Sequence, residues 1–184
     1  MNDERGEDRY LIARTVLAEL PCPVVIVAAA GNGERSAATG TAMYVSFVPP
    51  ALAIAVHPGS RTGRLIEASG EFSVSLLADD QVEAALVGGR SGSALSVGQD
   101  KLDALGLGVI SSAHSSAPAL ESVPLNIWCR VTQRHETGDH VLYIGEVVDQ
   151  RLENPDIPPL LRHRRRYVRR GAWLTDEAPG GYPT

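Results

Sequence analysis

The sequence predicts a mainly β fold with short helices, an α+β architecture built on a mostly antiparallel sheet. Three observations carry this. Short apolar or alternating runs outnumber helical patterns along the chain. Turn residues punctuate those runs, as at Gly31-Asn32-Gly33 and Glu136-Thr137-Gly138-Asp139. The strands do not alternate with long helices, so a doubly wound parallel sheet is disfavoured. An antiparallel barrel with helical excursions fits better.

Taken in order, residues 1–9 are highly charged and expected to be disordered. Tyr10 to Leu20 reads as a helix, because Ile12, Ala13, Val16, Leu17 and Leu20 share one face. Pro21 and Pro23 end it. Val24 to Ala30 is a continuous apolar run, the pattern of a strand buried on both faces. Gly31-Asn32-Gly33 turns the chain into a return strand over roughly Ala37 to Ser46. Ala51 to Val56 and Phe72 to Leu77 are strands, and Ser60-Arg61-Thr62 opens a short helix between them.

Ala78 to Val87 reads as a helix with Asp79 or Asp80 at its N-cap. Gly88 to Gly98 is Gly/Ser-rich and is expected to be a flexible surface loop and a candidate lid. Its glycines make neither a G-x-G-x-x-G nor a GK[ST] fingerprint. Asp100-Lys101-Leu102 starts a short helix ending near Gly106, and Gly108 to Ile110 reads as a short strand. Leu125, Ile127, Cys129 and Val131 alternate with Asn126, Trp128, Arg130 and Thr132, a half-buried strand. His140 to Gln150 is its hairpin partner, and Leu160 to Val168 is the last strand.

A chain of 184 residues with a net charge of −5 is expected to form one domain, over 10–172, followed by a loose tail over 173–184. The acidic balance argues against a general nucleic-acid binder. Cys22 and Cys129 lie far apart and outside any CxxC or Cys/His spacing, so zinc is not expected. Both read as buried free thiols in strands. The polar, acidic N-terminus is not a secretory signal, and no apolar run reaches a membrane span. These features read as a cytoplasmic protein that works without a membrane.

Chemistry concentrates between Ser36 and Leu77 and at His140. Ser60-Arg61-Thr62 reads either as a surface turn with an N-cap hydroxyl or as a phosphate seat. In the second reading the hydroxyls, the first amides of the helix and the guanidinium converge on an anion. Thr39-Gly40-Thr41-Ala42 reads as ordinary strand or as a stretch of small residues that a flat ring can approach. His140 is a strand-end histidine that either bonds the turn or serves chemistry. Six arginines between Arg162 and Arg170 read as a solvated strand edge or as a basic patch. No G-x-S-x-G elbow supports a hydrolase.

The run PPALAIAVHPGSRTGRLIEASGEFSVSLLADDQ follows a Thr-rich segment and precedes Gly138-Asp139-His140 leading into VLYIGEVV. Pro159-Leu160-Leu161 then leads to Arg166-Tyr167. In order and approximate spacing, over about residues 17–170, these motifs resemble the flavin reductase-like proteins with an FMN-binding split β-barrel. The resemblance implies an NAD(P)H:flavin oxidoreductase that binds FMN, with FAD as the alternative flavin. It would take hydride from NADH or NADPH at flavin N5 and pass reduced flavin to a monooxygenase. It implies a homodimer, with an exposed Trp128 face or the Arg162–Arg170 strand at the interface. It implies His140 as the residue beside the flavin ring and the nicotinamide. Thr39, Gly40, Thr41, Ala42, Ser46, Ser60, Arg61, Thr62 and Tyr167 become the cofactor-binding set. The chain departs from the commoner pattern at Gly40-Thr41-Ala42. Other readings are a flavin carrier without turnover, an enzyme of the same fold with a different oxidation, and an Arg-rich nucleic-acid binder.

Overall fold

The computed structural model describes residues 11–12, 14–90, 100–153 and 156–172. The expectations for residues 1–9, for most of the Gly/Ser-rich loop and for the C-terminal tail lie outside them. The described residues form twelve strands: β1 Cys22–Pro23, β2 Val25–Gly31, β3 Glu34–Gly40, β4 Ala42–Phe47, β5 Pro50–Val56, β6 Glu71–Leu76, β7 Val109–Ile110, β8 Ala119–Leu120, β9 Leu125–Thr137, β10 His140–Leu152, β11 Leu160–His163 and β12 Arg166–Arg169. Helices α1 Arg61–Ser69, α2 Val82–Gly89 and α3 Lys101–Ala104 interrupt them.

Seven strands form one antiparallel sheet in the order β3-β2-β6-β9-β10-β5-β4. The loops specify several of the pairings. Asn32-Gly33 is a two-residue turn with φ of 54° and 78°, which closes the β2–β3 hairpin at the pair Gly31 and Glu34. Gly138, at φ 64°, opens the turn that pairs Thr137 with His140 and so sets the start of β10.

The sheet rolls up. β3 and β4 are its two outermost strands, yet only Thr41 separates them in sequence. The backbones of β3 and β5 approach within 8 Å. In a flat sheet five strand spacings would hold them about 24 Å apart. No ladder joins β3 to β4 among the described residues, so the rolled sheet stays open along that seam. The expected single return strand over Ala37–Ser46 therefore breaks at Thr41. Its first half belongs to one edge of the sheet and its second half to the other.

Rolling buries both faces of β2. Val25, Val27 and Ala29 point into an inner cluster with Ile54, Phe72, Cys129, Tyr143 and the α1 residues Leu65 and Ile66. Ile26 and Ala28 point outward beneath α2 and α3, against Ala85, Val87, Leu102 and Leu160. That is why this strand has no polar alternation. α1 forms because Ser60 caps it, its hydroxyl accepting from Gly63 N at 3.0 Å. Gly70 ends it at φ 69°.

Several expectations need correction. Trp128 is buried, and its indole N–H donates to Ala117 O at 2.9 Å, so it presents no exposed face to a partner subunit. Asn126 is equally buried, donating to Leu120 O and accepting from Ser75. The segment over 111–124 covers this face of β9, which strand alternation alone does not reveal. The N-cap of α2 is Gln81 rather than Asp79 or Asp80. The final strand is a hairpin, β11–β12, turning at Arg164-Arg165. Residues 11–12 and 14–15 are helical and are followed by a 3₁₀ turn at Leu17–Glu19, with Ile12, Val16, Leu17 and Leu20 exposed.

The interior leaves no room at Gly145. A Cβ there would stand 2.6 Å from Phe72 Cε1 and 2.7 Å from Cys129 Cβ, both core atoms. Gly145→Ala is expected to destabilise the fold by about 1–3 kcal/mol, read as a lower urea midpoint. An unchanged midpoint would show that the core yields there.

Candidate functional site

The site candidates fall in three places. The first is the rim where β5 ends, β10 begins and α1 starts. Antiparallel pairing of Val56 with Val141 puts His57 beside His140. The two rings are 6.1 Å apart, edge to face. His140 Nδ1–H donates to Asp139 Oδ1 at 2.8 Å, which leaves Nε2 as the outward nitrogen. The His140 hydrogen bond and charge hold the Asp139 carboxyl below its ordinary range. His57 Nδ1 accepts from Gly59 N at 3.1 Å, so its proton sits on Nε2 in the neutral ring.

The same rim carries the helix start. A Cβ at Gly63 would meet His57 O at 2.7 Å, so only glycine lets the His57–Ser60 turn fold down on the first turn of α1. Arg64 secures that turn from Nη1 to Gly59 O at 2.7 Å. The first amides of α1 lack helical acceptors by position, and the positive end of the helix dipole lies there. Arg61 is half exposed and pairs with Glu34 at 3.3 Å. Thr62 differs from its neighbours. It is 1% exposed and its hydroxyl donates to Ser36 at 3.1 Å, tying α1 to β3 from behind. Amides, a guanidinium, the His57 Nε2–H and a serine hydroxyl form a donor set suited to a phosphate, with the Glu34 carboxylate on Arg61 and the Asp139 carboxylate on His140.

The second place is the corner between β3 and β4. Thr39 donates its hydroxyl to Ala85 O at 2.7 Å and so joins β3 to α2. Gly40 and Ala42 are half-buried and Thr41 is exposed. Ser36 and Gly40 are four residues apart on β3, about 13 Å by strand rise. The corner and the helix start thus mark two ends of one stretch of strand. Ser46 lies further along β4, half-buried beside the irregularity between Tyr44 and Ser46.

The third place is the β11–β12 hairpin, where half-buried Tyr167 packs on the outer core cluster. It belongs to a different sheet from His140. From the sequence His57 is a loop residue near the phosphate turn; its place beside His140 is not in the motifs. The signal that pairs the two histidines is the β5–β10 register, which motif spacing does not contain. Two titratable groups of the interior take no part in proton chemistry near neutrality. Burial, then the Glu67 carboxylate, push the Tyr143 phenol up to about 12, and burial pushes the Cys129 thiol up to about 12. Among the described residues, no group of three His, Cys, Asp or Glu side chains can hold a metal ion, and no helix is long and apolar enough to cross a membrane.

Residues 17–171 match the flavin reductase like domain. The chain is 33% identical over 163 residues to the NADH-dependent FMN reductase AsuE2 of Streptomyces nodosus subsp. asukaensis, covering 84% of this chain and 82% of that protein. It is 28% identical over 169 residues to the FMN reductase (NADH) RutF of Agrobacterium fabrum, covering 91% and 92%. The structure of Streptomyces globisporus NADH:FAD oxidoreductase SgcE6, in complex with NAD and FAD fragments, superposes with a TM-score of 0.79 at 26% identity. That alignment covers 92% of this chain and 96% of the other. A domain match over most of the sequence, together with these relatives, means that the chain belongs to the flavin reductase-like family.

Proposed function

We propose that the protein is a flavin reductase that oxidises NADH, with NADPH as the alternative donor, and reduces FMN, with FAD as the alternative flavin. One observation carries the reading. The register of β5 and β10 puts His140 and its orienting Asp139 on the same rim as the amide-rich start of α1. An anion seat and a fixed imidazole therefore serve one ligand.

Ser60, Arg61 and the first amides of α1 hold the phosphate. Thr62 keeps that helix start rigid through Ser36. Gly40, Thr41 and Ala42, lacking bulk, accept the ring against the backbone, with Thr39 fixing the strand from the α2 side. Ser46, further along β4, extends this stretch, and Tyr167 would meet the ligand from the separate β11–β12 hairpin. Bound flavin would supply the two-electron acceptor. Asp139 holds the His140 ring so that Nε2 is left for the ligand, accepting a hydrogen bond from it in the neutral ring and donating a hydrogen bond or a proton only from the imidazolium. Positioning of the donor is the main demand, because hydride transfer requires reacting atoms about 3–3.5 Å apart.

Reduced flavin is a two-electron donor that reacts with dioxygen, so a flavin-dependent monooxygenase is the class of partner that uses it. A homodimer is supported by β4, an outermost strand of the sheet whose Met43, Tyr44, Phe47 and the adjoining Val48 are 58–93% exposed.

The phosphate seat gives a test with native protein. FMN is expected to support NADH oxidation at a KM about tenfold or more below that of riboflavin, since riboflavin lacks the charged group the helix start would hold. Equal KM values for the two flavins would remove the seat from this reading.

A further inference from the structure

A cavity of about 280 Å³ lies away from the rim, between the N-terminal helical segment and the β1–β11–β12 sheet. Arg14, Arg162 and Arg165 line it together with Leu17, Leu20 and Cys22. Among the described residues, no carboxylate lines it. The nearby acid, Glu19, is engaged elsewhere: it accepts from Arg164 Nε at 2.9 Å and stands 3.8 Å from His163. Arg164 N also donates to Ala18 O at 2.8 Å, so the hairpin tip is bonded to the segment that roofs the cavity. In a chain of net charge −5, this is a local concentration of guanidinium.

The turn itself is costly. Arg164 and Arg165 sit at φ 49° and 64°, the left-handed positions that a two-residue hairpin normally fills with Asn or Gly. Arginine there sacrifices backbone comfort and brings charge to the cavity. The hairpin wall brings Arg162 and Arg165, and the N-terminal segment brings the apolar Leu17 and Leu20 beside Arg14. That combination suits a phosphate carried on a flat organic body.

Its position narrows the occupant. Cys22 pairs with Arg162 and lies three residues before Val25, which pairs with Gly40. About 10 Å of extended chain therefore separates the cavity from the β3–β4 corner. The cavity lies beyond the corner, while the helix start lies about 13 Å back along β3. We propose that this cavity binds the phosphate-bearing adenylate end of a dinucleotide, with Arg162 and Arg165 on the phosphate and Leu17 and Leu20 against the base. The dinucleotide assignment rests on the reductase reading; the phosphate site does not.

Cys22 is a reporter within the cavity, and fully buried Cys129 is an internal control. The experiment measures modification of Cys22 by a thiol reagent in the full chain, with and without AMP. AMP is expected to slow Cys22 labelling severalfold. The Arg162→Gln/Arg165→Gly pair is expected to lose that protection, while Cys129 stays unreactive and so reports an intact fold. Arg165→Gly also relieves the left-handed position. No protection by AMP in the native chain overturns the site.

The source of the adenylate is read kinetically in the same double variant. A KM for NADH raised about tenfold at unchanged FMN affinity assigns the site to the pyridine nucleotide. A matching loss of FAD affinity at unchanged KM for NADH assigns it to FAD. Neither change overturns the dinucleotide assignment. Protection by AMP in a protein that oxidises no NADH would keep the phosphate site and discard the reductase reading.

Discussion

His140→Ala is expected to lower NADH oxidation about a hundredfold, the low end of what a positioned proton donor contributes, while FMN affinity stays nearly unchanged. Asp139 accepts from His140 Nδ1, which fixes the ring at the start of β10 and leaves Nε2 for a ligand. The ring is 43% exposed by side-chain area, so its loss leaves no core cavity. Alanine therefore removes the imidazole and little else. His140→Gln is expected to recover part of the rate, because an amide can donate a hydrogen bond but cannot relay a proton. His57 stands 6.1 Å away, and if its Nε2 served instead, His140→Ala would leave turnover nearly intact. A variant that keeps its rate but loses FMN would make His140 a flavin ligand.

The second large effect concerns the helix start. Ser60→Ala with Arg61→Ala is expected to weaken FMN binding about a hundredfold, since hydrogen bonds to charged groups contribute about 1.5–3 kcal/mol each. Riboflavin binding is expected to change little. That contrast matters because Ser60 also caps α1, and losing an N-cap costs about 1 kcal/mol of stability. A fall in thermal midpoint with parallel losses for both flavins would mark a purely structural role. Arg61→Ala alone separates the two, because its contact is an exposed pair with Glu34. Thr62 is the wrong residue for this test. Its buried hydroxyl holds Ser36, so Thr62→Ala reports the packing of α1 against β3.

The strand content, the β2–β3 and β9–β10 hairpins and the Ser60 cap were legible in the sequence, because each rests on local rules of periodicity, turn chemistry or capping. The break at Thr41 was not. A rolled sheet brings its two edges together there, and nothing within Ala37–Ser46 shows that its halves bond to different neighbours. Trp128 and Asn126 misled for the same reason: the segment over 111–124 buries the face that alternation marks as polar. At the site, Ser60, Arg61 and His140 came from motifs. The inward roles of Thr39 and Thr62 came from partners on distant elements, Ala85 and Ser36. His57 needed the β5–β10 register.

The measurement that tests the central claim most directly is anaerobic. Purified protein is mixed with FMN, NADH or NADPH is added without oxygen, and the visible absorbance of the flavin is followed. Bleaching far faster than in the absence of protein, with one nicotinamide preferred, is the predicted result. A bound-flavin spectrum that neither nicotinamide bleaches would contradict the account and leave a carrier built on the same rolled sheet.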